Sequence, residues 1–314
     1  MVKVLVLSAT GQQGNATARA LLSSDKGHSV RAYVRDASSA RAKELAALGA
    51  ELVEGGDWDK DVASLDKAFV GIEALFFISN PSFTDLTAEV KGATNIVEAA
   101  KRAGTVNHIV YSTVAGIDTY KDLPNLDASP VFRNYWESKA KGEELVKNAG
   151  LAHYTLLRPT EFMSNWTREK MALFQVPDLV KEGVWHTAMP PSFILSEIDT
   201  DDIGRVAAAA IEAPDTFGGG PNRALKLTGE RLTVAELIAQ LSEATGKKLS
   251  IYTYTPEEAE EAAKKNPAVA GQLTRLAKQE GLQPLEQWGL KFNTFKEHLA
   301  NHLDEVRELY KNAP

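Results

Sequence analysis

Tyr135-Trp-Glu-Ser-Lys139 places a phenol and an ammonium four residues apart. On a helix those positions share one face, so phenol and ammonium can serve the same site, and a nearby cation favours the phenolate, the charge state relevant to acid–base work. In a chain with eight tyrosines the spacing also arises by chance, and the plainer reading makes Tyr135 a packing residue. Nearer the N-terminus, Ser8-Ala-Thr-Gly11-Gln-Gln-Gly14 joins an apolar run to an alanine-rich helical pattern. Glycines there let the backbone turn sharply and let a pyrophosphate approach the free N–H groups of a helix start. The reading is dinucleotide binding by Ser8, Thr10, Gly11, Gln12, Gln13 and Gly14, against a tight turn with no ligand. Ser8 stands where the commonest version of this turn has glycine.

About twenty residues on, the second apolar run ends Val34-Arg35-Asp36. At this point an acid usually holds the adenosine ribose 2′-hydroxyl, whereas an arginine accommodates a 2′-phosphate. The first side chain beyond the run is Arg35, with Arg41 and Lys43 close behind, which favours NADP; Asp36 as the ribose ligand would mean NAD. His298 and His302 have the spacing of two helix-borne metal ligands, but the glutamate of a zincin helix is missing. A polar helix face is the plainer reading, and no metal is expected.

These residues need a scaffold. Strand-like runs at 2–7, 29–34, 50–53, 74–78, 108–112 and 153–157 alternate with helical patterns at 13–23, 40–48, 62–69, 85–103 and 136–148. Short apolar strands alternating with helices predict an α/β fold, a doubly wound parallel sheet of the Rossmann kind. The expected division is a binding domain over 1–160, to which 195–212 return. A smaller, mostly helical substrate or lid lobe then comprises 161–194 and 213–314. Within it, Thr233 with Glu236 and Thr255 with Glu258 read as capping boxes.

The chain has 314 residues, 35 basic and 42 acidic, so its formal net charge is −7. The mildly acidic balance without a basic block argues against a nucleic-acid surface. Cysteine is absent, which excludes disulfides and thiol chemistry. No apolar stretch approaches membrane-spanning length, and strand-like sequence begins at Val2, so a cytoplasmic location is expected.

Five stretches in order, SATGQQGNATARALL, VRAYVRD, GAELVEGGDWD, SKAKGEELVKNAGLAHYTLLRPTEFMSNW and IDTDDIGRVAAAAI, resemble the NmrA-like family. This is an atypical branch of the short-chain dehydrogenase/reductase superfamily, and the stretches span residues 2 to about 212. The resemblance implies an NADP(H)-binding Rossmann domain, but not one reaction, because fold and cofactor transfer better than chemistry. It implies Gly55 to Asp57 beside the adenine, and Ser79, Asn80 and Pro81 near the ribose or nicotinamide. It makes Lys139 the ligand of the nicotinamide ribose and Tyr135 the group that hands a proton to a carbonyl oxygen.

In extended members of the superfamily the third catalytic hydroxyl falls two residues after the first serine of the stretch starting at Ser112. That position is Val114, so the triad is incomplete or displaced. Phe162, Met163, Trp166 and Trp185 are candidate walls of a substrate pocket, or else core of the lobe. The function expected is an NADPH-dependent oxidoreductase reducing a small, largely apolar carbonyl, enone or quinone. The alternative is a non-catalytic NADP(H) sensor that binds a protein partner according to cofactor redox state.

Overall fold

A computed structural model describes the chain except residues 83, 124, 125, 129, 219–221 and 278–288, and leaves the side chains of 128, 218, 222 and 223 undescribed. The alternating first half forms β1 (Lys3–Val6), α1 (Gln12–Leu22), β2 (Ser29–Val34), α2 (Ala40–Ala47), β3 (Glu51–Glu54), α3 (Val62–Phe69), β4 (Ala74–Ile78), α4 (Ala88–Ala103), β5 (His108–Ser112), α5 (Pro130–Lys147) and β6 (His153–Pro159). These strands pair in parallel in the order β6-β5-β4-β1-β2-β3. The order reverses direction between β1 and β4, and in such sheets ligands bind outside the carboxyl ends of the strands at that point. Leu5, Leu75, Phe77, Ile109 and Leu156 are fully buried between the helical layers.

α5 begins at Pro130, not near Trp136 as its periodicity predicts. Tyr135 therefore lies inside the helix, in its second turn. Helix Thr200–Glu212 packs on α1, and a Cβ on its Gly204 would lie 2.4 Å from the Ala16 carbonyl carbon. That close approach explains the run of small residues in this segment.

The chain divides into two compact units, one of Met1–Asp118, Ser129–Pro159 and Thr200–Lys226, the other of Thr119–Ala128, Thr160–Asp199 and Leu227–Pro314. Two boundaries differ from the expected ones. Strand Ile194–Ile198, expected to return to the binding domain, is the middle strand of a separate sheet, between Glu230–Thr233 and Glu161–Phe162. Strand Asn222–Leu227, expected in the lobe, is the seventh strand of the large sheet, beside β6. Strand pairing decides this, and a short apolar run carries no record of its partner.

The second unit has its own core, in which Met163, Leu179, Leu237, Phe295 and Tyr310 are buried. Both expected capping boxes form there, and a third, Thr294 with Glu297, starts helix Phe295–Asn301. No helix among the described residues is long and apolar enough to cross a membrane.

Register in the small sheet sets Glu161, Glu197 and Glu230 side by side. Glu230 accepts the Phe295 N–H at 2.6 Å, and Glu161 pairs with Arg275. Glu197 between them is fully buried, and neither carboxylate oxygen has a hydrogen-bond partner among the described residues. Burial pushes its carboxyl up to about 8. The folded state thus keeps a proton that the unfolded chain releases near the ordinary value of 4.5. Stability from this site is greatest below pH 4.5 and declines as pH climbs to 8. Glu197→Gln should therefore become more stable than wild type at pH 8, with the advantage shrinking toward pH 5. Denaturant midpoints at the two pH values check this, and an advantage independent of pH would refute it.

Candidate functional site

The turn after β1 accommodates serine where glycine is commonest. Ser8 has φ 52°, the only positive φ at a non-glycine residue among those described, a conformation glycine adopts freely and other residues reach at a cost. Its carbonyl accepts the Gly11 N–H at 2.8 Å. No side chain fits at Gly14, where a Cβ would lie 2.2 Å from the Ser8 carbonyl oxygen. So serine is tolerated at the first position, while the third position must be glycine for α1 to start against the strand end. α1 has no side-chain cap, and the first-turn N–H groups of a helix have no intrahelical acceptors.

Around this turn the strand ends carry charge and small residues. The Arg41 guanidinium donates to the Thr10 carbonyl at 2.9 Å, tying α2 to the turn. Arg35 is exposed at the end of β2 with no hydrogen-bond or ion-pair partner among the described residues. Asp36 Oδ1 accepts from Ser38 Oγ at 2.6 Å and Ser38 N at 2.8 Å, and these bonds hold the carboxyl below its usual range. Asp36 is thereby engaged in its own turn. After β3, a Cβ on Gly55 would lie 2.1 Å from Tyr33 Oη, so the loop lies against that phenol. Tyr33 donates to the Gly56 carbonyl at 3.0 Å, and Asp57 is largely exposed.

At the end of β4 lies a buried polar network. Lys139 Nζ donates to Glu89 Oε1 at 3.0 Å and to the Ser79 carbonyl at 3.1 Å. Ser79 Oγ donates to the same Glu89 oxygen at 2.6 Å. With its one proton used there, Ser79 accepts the Tyr111 hydroxyl at 2.6 Å. Burial raises the Tyr111 phenol, which stays protonated and stacks on Phe77 at a ring-centroid distance of 4.3 Å. Gly142 on α5 leaves room for that hydroxyl, since a Cβ there would be 2.3 Å from it. Lys139 and Glu89 are both buried, and Nζ lies 5.3 Å from the centroid of the Tyr135 ring. Asn80 is exposed.

The hydroxyls at the end of β5 point inward. Ser112 Oγ donates to Gln13 Oε1 at 2.6 Å, joining this strand end to the first turn of α1. Thr113 Oγ1 donates to Glu143 Oε1 at 3.0 Å. Glu143 also holds Arg158 through two bonds, 2.9 Å to Nε and 2.7 Å to Nη2, which keep its carboxyl low despite burial. Val114 follows, half-buried.

Glu89, Tyr111, Glu143 and Arg158 escaped the sequence reading, although two of them left a signal. Glu89 falls on the stripe Glu89, Gly92, Ala93, Ile96 and Ala100 that α4 buries, and an acid on an apolar stripe asks for a partner. Glu143 follows Lys139 at i+4, on the face that also carries Tyr135.

The proposed pocket walls belong to the second unit. Trp166 and Trp185 are buried edge to face at 4.9 Å in its core, with Met163 beside them, which is the core-packing alternative of the two readings. Phe162 is half-buried in a two-residue strand paired with Ile198. His298 is buried, not part of a polar face, because Nδ1 meets Asp199 at 3.0 Å and Nε2 meets Thr167 at 2.9 Å.

Comparison with known proteins places this architecture. A model described as the NmrA-like family matches residues 2–288. The NAD(P)H azoreductase of Xenophilus azovorans is 30% identical over 260 residues, 82% of this chain and 79% of that protein. The nitrogen metabolite repression protein nmrA of Emericella nidulans is 27% identical over 258 residues, covering 81% of this chain and 68% of the relative. Among solved structures, the triphenylmethane reductase of Citrobacter sp. in complex with NADP(H) shares the fold. Its TM-score is 0.70 at 23% identity, covering 96% of this chain and 100% of that one.

Proposed function

The chain belongs to the NmrA-like family, and we propose that within it this protein is an NADPH-dependent reductase of small, largely apolar quinones and enones. The observation that carries the reading is the Ser8–Gly14 turn, whose backbone brings the uncapped start of α1 against the end of β1. Those N–H groups would hold a pyrophosphate. Arg35 would take the 2′-phosphate, with Arg41 adding positive charge beside the turn. The loop at Gly55 to Asp57 would flank the adenine, and Ser79, Asn80 and Lys139 the nicotinamide ribose. The relative named an NAD(P)H azoreductase and the fold shared with an NADP(H) complex support this assignment.

Bound NADPH would supply hydride to an electron-poor acceptor. The hydroxyls support this acceptor class. Ser112 and Thr113 spend theirs on Gln13 and Glu143, and Val114 stands at the third position. None of these groups is set to orient an isolated carbonyl. A quinone or enone accepts hydride without a positioned acid, and solvent protonates the resulting oxyanion. Tyr135 then contributes its ring beside the Lys139 ammonium, and its hydroxyl is dispensable.

Purified protein should oxidise NADPH with quinones and enones but not with unconjugated aldehydes. Tyr135→Phe should keep that turnover within about threefold, whereas loss of a positioned general acid costs about 10²–10⁴. A loss of that size would make Tyr135 the proton donor and restore ordinary carbonyl reduction. The same inward-turned hydroxyls also favour a second reading, a non-catalytic cofactor sensor, and a relative named a nitrogen metabolite repression protein is compatible with it. Silence across a broad acceptor panel, with tight NADPH binding retained, would select it.

A further inference from the structure

A buried ammonium is costly unless a carboxylate accompanies it, and breaking such a pair leaves a charge without compensation. Among the described residues the one acid that contacts Lys139 is Glu89, delivered from α4, fifty residues away in the chain. A single oxygen, Oε1, receives both Lys139 Nζ and Ser79 Oγ. Ser79 is fixed in turn by the Tyr111 phenol and by its own carbonyl bond to Nζ. The ammonium is thus held at the end of β4 by two acceptors, leaving one of its three donors uncommitted by these bonds.

We propose that Glu89 is the positioning residue for Lys139, holding the ammonium so that its remaining N–H serves the ribose bearing the nicotinamide. The inference rests on the reading that Lys139 contacts that ribose. Because Glu89 acts through Lys139, its contribution should disappear when Lys139 is removed, and should be felt only by ligands that carry the nicotinamide half. General loosening of the fold would satisfy neither condition.

The test uses two ligands, NADPH and adenosine 2′,5′-bisphosphate, which keeps the 2′-phosphate but lacks the nicotinamide ribose. Dissociation constants are measured for wild type, Glu89→Gln, Lys139→Met and the double variant. Each single variant should weaken NADPH by about tenfold or more, in the range of one charge-assisted hydrogen bond, and leave the bisphosphate within about twofold. The double variant, which removes both buried charges together, should bind NADPH no more weakly than Lys139→Met alone.

Equal losses for both ligands in Glu89→Gln, or a further loss on adding it to Lys139→Met, would overturn the proposal. If Lys139→Met weakens NADPH and Glu89→Gln does not, Glu89 alone loses its role. If Lys139→Met changes nothing, the cofactor reading of Lys139 falls and the role of Glu89 with it. Should Glu89→Gln fail to fold, Glu89→Asp keeps the charge and withdraws it by one methylene. The same NADPH-selective loss at smaller size is then expected, and no loss or an unselective one would overturn the proposal.

Discussion

Gly14→Ala is expected to lower NADPH affinity by about a hundredfold or more and to destabilise the first unit. The added Cβ would lie 2.2 Å from the Ser8 carbonyl oxygen, 2.6 Å from its carbon and 2.9 Å from the Leu7 carbonyl oxygen. All three are backbone atoms, so no side chain can swing aside. Either the turn opens or the start of α1 retreats, and both withdraw the N–H groups proposed to bind pyrophosphate. Overpacking of this kind typically costs about 1–3 kcal/mol of stability. Binding should suffer more than stability, because an anion site depends on donors held within a fraction of an ångström.

Ser8→Gly is the control at the other end of the turn. It relieves a left-handed residue that costs about 1–2 kcal/mol and should preserve binding. Titration of both variants with NADPH, with thermal unfolding alongside, decides the matter. A Gly14→Ala protein with wild-type affinity would remove the turn from the cofactor site.

Arg35→Asp should reverse the choice of cofactor. Arg35 is exposed at the end of β2 and engages no neighbour among the described residues, so its replacement breaks no internal bond. A charged hydrogen bond to phosphate contributes about 1.5–3 kcal/mol, so NADPH should bind about 10- to 150-fold more weakly. The new carboxylate would also repel the 2′-phosphate while offering an acceptor to a 2′-hydroxyl, so NADH should bind as well as before or better. Asp36 already serves Ser38 and is poorly placed to substitute. Wild-type protein that binds NADPH and NADH equally would sink the assignment, whatever the variant does.

What the sequence determined by itself is local. The Ser8–Gly14 turn, the alternation that builds β1 to β6, and the capping boxes at Thr233 and Thr255 depend on residues within a few positions of one another. Backbone dihedral preferences and 3.6- or 2-residue periods record such relations directly. The Lys139–Glu89 pair spans 50 residues, Ser112 and Gln13 span 99, and His298 and Asp199 also span 99. No period links such positions, and only the packing of α4, α5 and the strand ends decided that Lys139 is buried with an acid. Tertiary structure likewise turned Ser112 and Thr113 inward, put Trp166 and Trp185 into a core, and gave strand Asn222–Leu227 to the large sheet. In each case a polar or apolar group was satisfied by whichever distant partner the fold brought within reach, and residue type alone does not name that partner.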